Sequence, residues 1–283
     1  GPIGAEWNSG ELVEIVLDDG DMNLDARNQE QMTVGSNSTI VPAVKIGSPI
    51  TLATVNNIIY ADSSNVKTTV DTGIDDTVCS SDYDAAGTAG SYVSCYEKYS
   101  ERAIITNSGS AITIGEKQAL EFAYDGTTVN DLADLVSGAN GTAAYTYIQY
   151  DFRALNGGSN DANVYLNFTV GDDSATDATA SAEAGGDVVT STYSTGLIGQ
   201  ALFNSPGTKA TGFGSLTGTD SLEVMVEFKA ISGTLSLTGL AAGTSTPLTM
   251  DFVTFGQSND GVNASDRHNN SIYRLEVDEV DTN

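Results

Sequence analysis

Asp19, Asp21, Asn23 and Asp25 alternate along the stretch DDGDMNLDARNQE, and Glu30 stands eleven residues after Asp19. That is the ligand spacing with which an EF-hand loop wraps calcium in carboxylate and amide oxygens. The position that requires the turn glycine holds Leu24 instead, and no amphipathic helix flanks the loop. The two readings are a calcium loop of another geometry and a solvated acidic turn. Further acidic loops carry Asp75, Asp76, Asp82 and Asp84, then Asp172, Asp173 and Asp177, then Asp260, Asn263 and Asp266. Calcium is the one cofactor these residues suggest, because six to eight oxygen donors are what it takes.

The two cysteines, Cys79 and Cys95, flank a Gly/Ser/Asp stretch with no apolar pattern. A disulfide would staple that loop, contribute about 3 kcal/mol in the chain-entropy model, and place the chain in an oxidising compartment. The alternative is two unrelated thiols. Their spacing and the single histidine exclude a CxxC-type zinc site.

Other chemistries find little purchase. A nucleophilic triad needs a base, and His268 sits in the polar stretch SDRHNN with no G-x-S-x-G elbow. No Gly-Lys-Ser/Thr phosphate loop and no dinucleotide fingerprint is present. Paired carboxylates could serve a glycosidase, but in so acidic a chain some pair always falls at a suitable distance. The expectation is that the protein is not an enzyme. Glycan binding would need aromatic platforms; Tyr145 and Tyr147 share one strand face and are the candidates, with Tyr150 on the other face. The bland reading of all three is packing at the edge of a β core. Sequons at Asn37, Asn140, Asn167, Asn263 and Asn269 permit glycosylation in a suitable secretory system.

The elements that must position these residues are strands. NVYLNFTV puts Val164, Leu166, Phe168 and Val170 on one face, against Asn163, Asn167 and Thr169. EVMVEFKA sets Val224, Val226 and Phe228 against Glu223, Glu227 and Lys229. SIYRLEVDEV sets Tyr273, Leu275 and Val277 against Arg274, Glu276 and Asp278. Period-two alternation of this kind predicts half-buried antiparallel strands, dry on one face and wet on the other. YTYIQYDFR, GTLSLTGL, LTMDFVTF, TIVPAVKI, ITLATVNNIIY, RAIIT and QALEFAY read as further strands, punctuated by Gly, Asn, Asp and Ser. One stretch, TTVNDLADLVSG, spaces Val129, Leu132, Leu135 and Val136 as a helix does, with Thr128 and Asp131 as a capping box. The expected fold is all-β: an antiparallel, jelly-roll-like sandwich with long polar loops and one short helix. The expected layout is a lead and candidate donor strand over 1–17 and a single elaborated domain over 18–283, with 138–141 as the place where a split would fall.

Composition narrows the partners. With 11 Lys+Arg against 38 Asp+Glu, the net charge is -27. Phosphate backbones and anionic membrane surfaces would be repelled, so neither nucleic acid nor membrane insertion is expected. No apolar run approaches the roughly 20 residues that span a bilayer. The opening GPIGAEWNSG lacks a basic patch and an apolar core, and reads as a processed N-terminus. A surplus of this size repels itself unless salt or divalent cations screen it.

Just after that opening, ELVEIVL carries Val13, Ile15 and Leu17 on one face and Leu12, Glu14 and Val16 on the other. An apolar strand in a terminal segment can close the domain's own sheet or be lent to a neighbour's open edge. The chain resembles secreted all-β subunits of microbial surface assemblies, such as strand-exchanged pili, matrix fibres, tubules and surface layers. The resemblance rests on Ser/Thr/Gly/Asn/Asp richness, scarce Lys and His, and the terminal strand ELVEIVL. It implies an extracellular, cell-surface structural protein whose partners are copies of itself, joined by strand exchange through Leu12, Val13, Ile15, Val16 and Leu17. The competing expectation is a carbohydrate-binding or adhesin sandwich that takes glycans.

Overall fold

The computed structural model describes residues 27, 31–36, 41–61, 67–71, 79, 94–107, 109–113, 115, 117–137, 145–172, 189–204, 221–257 and 260–278. Its strands in chain order are β1 (Gln31–Met32), β2 (Ala43–Ile46), β3 (Val55–Ala61), β4 (Lys67–Asp71), β5 (Cys95–Glu97), β6 (Arg102–Thr106), β7 (Lys117–Thr128), β8 (Tyr145–Asp151), β9 (Val164–Asp172), β10 (Val189–Thr195), β11 (Ile198–Asn204), β12 (Ser221–Ala230), β13 (Ser245–Gln257), β14 (Arg267–Arg274) and β15 (Val277–Asp278). The helix α1 (Val129–Ser137) follows β7.

The chain divides into two compact units, Gly1–Met32 with Val277–Asn283, and Thr33–Glu276. In the first, β1 and β15 form a two-stranded antiparallel sheet of their own, with Met32 opposite Val277. The second holds two antiparallel sheets packed together as an all-β sandwich. One sheet has the order β10-β9-β12-β7-β3-β4; the other runs β11-β8-β13-β14-β2, with β6 and β5 attached to β13. Residues on both sides of 138–141 belong to this one unit.

The long strand β13 organises the second sheet. One edge pairs with β8 over Thr249–Phe255. The opposite edge is shared: Ser245–Leu248 pairs with β6, and Thr254–Gln257 pairs with β14. Between the sheets, rings from both sides interlock. Phe152, just past β8, lies 6.2 Å from Phe122 and 5.8 Å from Phe228, while Tyr150 lies 5.3 Å from Phe168. Each such side chain contributes about 1.5–3 kcal/mol by leaving water. The chain crosses from one sheet to the other at Gly196, whose φ of +82° suits glycine and whose missing Cβ would sit 2.5 Å from Asn160 Oδ1.

The strand and helix readings stand with several differences: they do not include β4, β5, β10 or β11, and ITLATVNNIIY opens with a 3-10 turn at Leu52–Thr54 before β3. GTLSLTGL forms no strand: it runs as irregular chain into a 3-10 turn at Thr238–Leu240. Leu235, Leu237 and Leu240 are buried all the same, so the alternation recorded burial without a ladder. SIYRLEVDEV is interrupted between Arg274 and Val277, and within it Ser271 and Ile272 are buried while Tyr273 is 44% exposed. The polar faces of β9 and β12 are partly covered: Asn167, Glu223 and Glu227 are buried, while Asn163 and Lys229 are exposed. The helix is capped as the sequence predicts, with Thr128 N donating to Asp131 Oδ2 at 2.7 Å and Asp131 N to Thr128 Oγ1 at 3.3 Å.

Candidate functional site

The described residues offer two organised polar features, both on the second sheet: a set of ion pairs and a tyrosine-bearing outward face. The ion pairs begin with Asp251, in the middle of β13 and fully buried. Arg274, at the end of β14, forms a two-pronged contact with it through Nη1 and Nη2, and donates from Nε to the Ser100 carbonyl at 2.8 Å. Burial lifts the Asp251 carboxyl above its ordinary range, and the Arg274 guanidinium pulls it back down. Burial also lifts the Tyr124 phenol well above its ordinary value, with the Asp251 charge adding to the effect.

Beside this pair, Glu101 receives both Lys45 Nζ and the Thr51 hydroxyl, the latter at 2.7 Å. Glu101 has φ of +50°, the left-handed region that non-glycine residues rarely occupy, and these two contacts hold it there. Arg102, next in the chain, is wholly buried. It meets Glu97 with two parallel bonds of 2.7 Å and donates from Nη1 to the carbonyls of Val34 and Ser36. A guanidinium fork matched to a carboxylate is the strongest of these geometries. It ties the segment after Met32 to β5 and β6.

Arg153, beyond β8, closes the set. It bonds Asp151 through Nε and Nη2 and reaches Glu276 at 2.6 Å, and those two carboxylates raise its already high pKa. It borders a cleft of about 440 Å³ lined by Thr33, Ser36, Gly157, Gly158 and Ser245. With both carboxylates in place, the cleft presents hydroxyls and backbone more than net charge.

The outward face of β8 carries Tyr145 and Tyr147, stacked with ring centroids 6.1 Å apart and planes 22° from parallel. Leu202 of β11 and Val253 of β13 flank Tyr147 across the ladders, and Phe255 stands opposite Tyr145. Further along the same face, Gln200 Nε2 donates to Gln149 Oε1 at 3.0 Å, and Gln149 Nε2 donates to the Ile272 carbonyl at 3.0 Å. Tyr145 and Leu202 are each 42% exposed. Tyr150 points the other way into the core, as the strand period requires, and hydrogen-bonds Ser194 at 3.0 Å.

Cys79 and Cys95 are joined as a disulfide. The bond fixes Cys79 beside β5, where its backbone N donates to the Tyr96 carbonyl at 2.9 Å. Among the sequons, Asn263 and Asn269 are exposed, whereas Asn167 is 7% exposed within β9 and is a poor acceptor for a bulky glycan. Asp19, Asp21, Asn23, Asp25 and Glu30 lie outside the described residues, as do Leu12, Val13, Ile15, Val16 and Leu17, and Asn37 and Asn140. Among the described residues no group of three or more His, Cys, Asp or Glu side chains could hold a metal ion, and no helix is long and apolar enough to cross a membrane.

The sequence reading missed the ion pairs. A signal was available: Asp251 interrupts the apolar run LTMDFVTF, and a charge in such a strand demands a partner. No protein-family model and no curated protein matches the chain.

Proposed function

We propose that the protein is an extracellular structural subunit that assembles with copies of itself into a surface filament, pilus, tubule or matrix fibre. Exchange of the apolar terminal strand over residues 12–17 supplies the head-to-tail bond. The observation that carries this reading is the division of the chain. The segments before Thr33 and after Glu276 make a compact unit of their own, and its described strands, β1 and β15, join no ladder of the sandwich. A strand drawn from such a unit can be lent without unpicking the sandwich core. The disulfide suits an oxidising exterior, and the net charge of -27 suits a setting rich in salt or divalent ions. Calcium at Asp19, Asp21, Asn23, Asp25 and Glu30 would stiffen the hinge directly after the lent strand. Negatively stained protein should show regular assemblies that are lost on deleting the first seventeen residues. Chelation should loosen them, and Asp21→Ala with Asp25→Ala should mimic chelation. Normal assembly of the truncated chain contradicts the strand-donor role.

A second reading, a carbohydrate-binding module, is favoured by the stacked Tyr145–Tyr147 pair on the exposed face of β8. A sugar ring can lie on an aromatic face while amides such as those of Gln149 and Gln200 bond its hydroxyls. It predicts saturable glycan binding that falls at least about tenfold in Tyr145→Ala, the loss of one stacking surface. A glycan array with no binding removes it.

A further inference from the structure

Strand lending requires an acceptor, and among the described strands of the sandwich five have a described neighbour on one side only: β4 and β10 on one sheet, and β2, β11 and the three-residue β5 on the other. The Tyr96 carbonyl of β5 is already taken by Cys79 N, which the disulfide holds beside it, and three of the other four edges carry a break in register against their neighbours. The break falls between Ile58 and Ile59 in the β3–β4 ladder, between Val189 and Thr192 in the β10–β9 ladder, and between Leu202 and Asn204 in the β11–β8 ladder. Bulges twist a strand and disrupt its outer edge, and proteins use them to keep edges from pairing. The β2–β14 ladder has no such break: Ala43, Val44, Lys45 and Ile46 stand opposite Arg274, Tyr273, Ile272 and Ser271 in turn.

The outer edge of β2 is also chemically prepared. Leu275 N donates to the Pro42 carbonyl at 3.1 Å, which sets the phase of the ladder. Antiparallel alternation then turns the main-chain groups of Val44 and Ile46 toward β14 and those of Ala43 and Lys45 outward. No described residue pairs with that outer edge. Val44 and Ile46 are each 39% exposed and share a face with Tyr273, which is 44% exposed. The other face presents Lys45, the one cation of the strand.

We infer that β2 is the acceptor edge, and that its occupant is the ELVEIVL segment of a second copy. The inference rests on the strand-exchange reading above. The two strands match by period. When Glu14 lies beside Lys45, Val13 and Ile15 fall on the side of Val44 and Ile46, whichever direction the incoming strand runs. A lysine on an edge ordinarily discourages pairing. On a chain of net charge -27 it instead selects an acidic strand, and the donor brings Glu11 and Glu14.

The test uses the full-length protein and replaces Lys45 in two ways. Lys45→Ala removes the charge and the Glu101 contact but keeps the outward N–H. Lys45→Pro also removes the N–H, at a position whose N–H is not used by β14. Assembly measured by sedimentation should require about tenfold more protein for Lys45→Pro than for Lys45→Ala, since the two differ by the edge hydrogen bond and the strand that depends on it. Glu14→Cys with Lys45→Cys should give disulfide-linked multimers on a non-reducing gel, and this reads the same contact if Lys45→Pro fails to fold. Equal assembly of the Pro and Ala variants, or absence of linked multimers from a chain that assembles, overturns the β2 assignment and leaves strand exchange standing. A full-length protein that stays monomeric with and without calcium overturns both.

Discussion

Asp251 and Arg274 show how a strand of the sandwich holds a buried charge by pairing it. The carboxylate is fully buried, and a single guanidinium from the neighbouring strand compensates it. Removing one partner of such a pair costs about 3–5 kcal/mol, because the other charge stays buried and alone. Arg274→Met should therefore lower unfolding stability by about that amount near neutral pH, read from denaturant titration. The pH dependence has a definite sign. Burial already places the folded carboxyl above its unfolded value. Such a group contributes stability that is present below the unfolded pKa and is lost as pH rises through the folded one. Without Arg274 the folded value climbs further, so the penalty of the variant should shrink steadily as the solution is acidified. A penalty independent of pH would mean that Asp251 is compensated by something other than Arg274.

Among the elements, α1 and the strands differ in how much of them could be read from sequence. The helix was legible down to its cap, because Thr128 and Asp131 satisfy each other's backbone and need nothing from elsewhere in the fold. Thr128→Ala should cost about 1 kcal/mol, with faster amide exchange confined to α1 and its junction with β7. Unchanged exchange there would show that Val129 and Leu132, both buried, hold the helix without its cap. The strands that were legible are those whose alternation records a face on the core, yet β11 was not read although its Ala201 and Phe203 are buried in that core. What alternation does not encode is whether the opposite face is also covered, and this is why Asn167, Glu223 and Glu227 read as wet. Nor does it encode whether a buried alternating segment finds a partner strand, which GTLSLTGL does not. The disulfide was legible from two cysteines around one polar loop. The Arg102–Glu97 fork, only five residues apart across a turn, was within reach of the same reasoning. The Arg274–Asp251 pair depends on the β13–β14 register and was not.

At the scale of the whole molecule, charge and connectivity point the same way. Arg102, Arg153 and Arg274 are each paired with a buried carboxylate, and Lys45 holds Glu101 at the edge of the sheet. The remaining surplus repels copies of the chain from one another, and salt or divalent cations screen it. On the strand-exchange proposal, assembly overcomes that repulsion through a directional contact, a ladder of backbone hydrogen bonds with alternate side chains setting the register. On the same proposal, the terminal unit, the regular edge of β2 and the alternation of ELVEIVL form three parts of one such joint. The most direct measurement is sedimentation velocity on the full chain and on the chain lacking its first seventeen residues, at matched concentration in calcium-containing saline. The account predicts polydisperse, concentration-dependent assemblies from the full chain and a folded monomer from the truncated one. A full chain that sediments as a monomer at every concentration, or a truncated chain that assembles equally well, contradicts it.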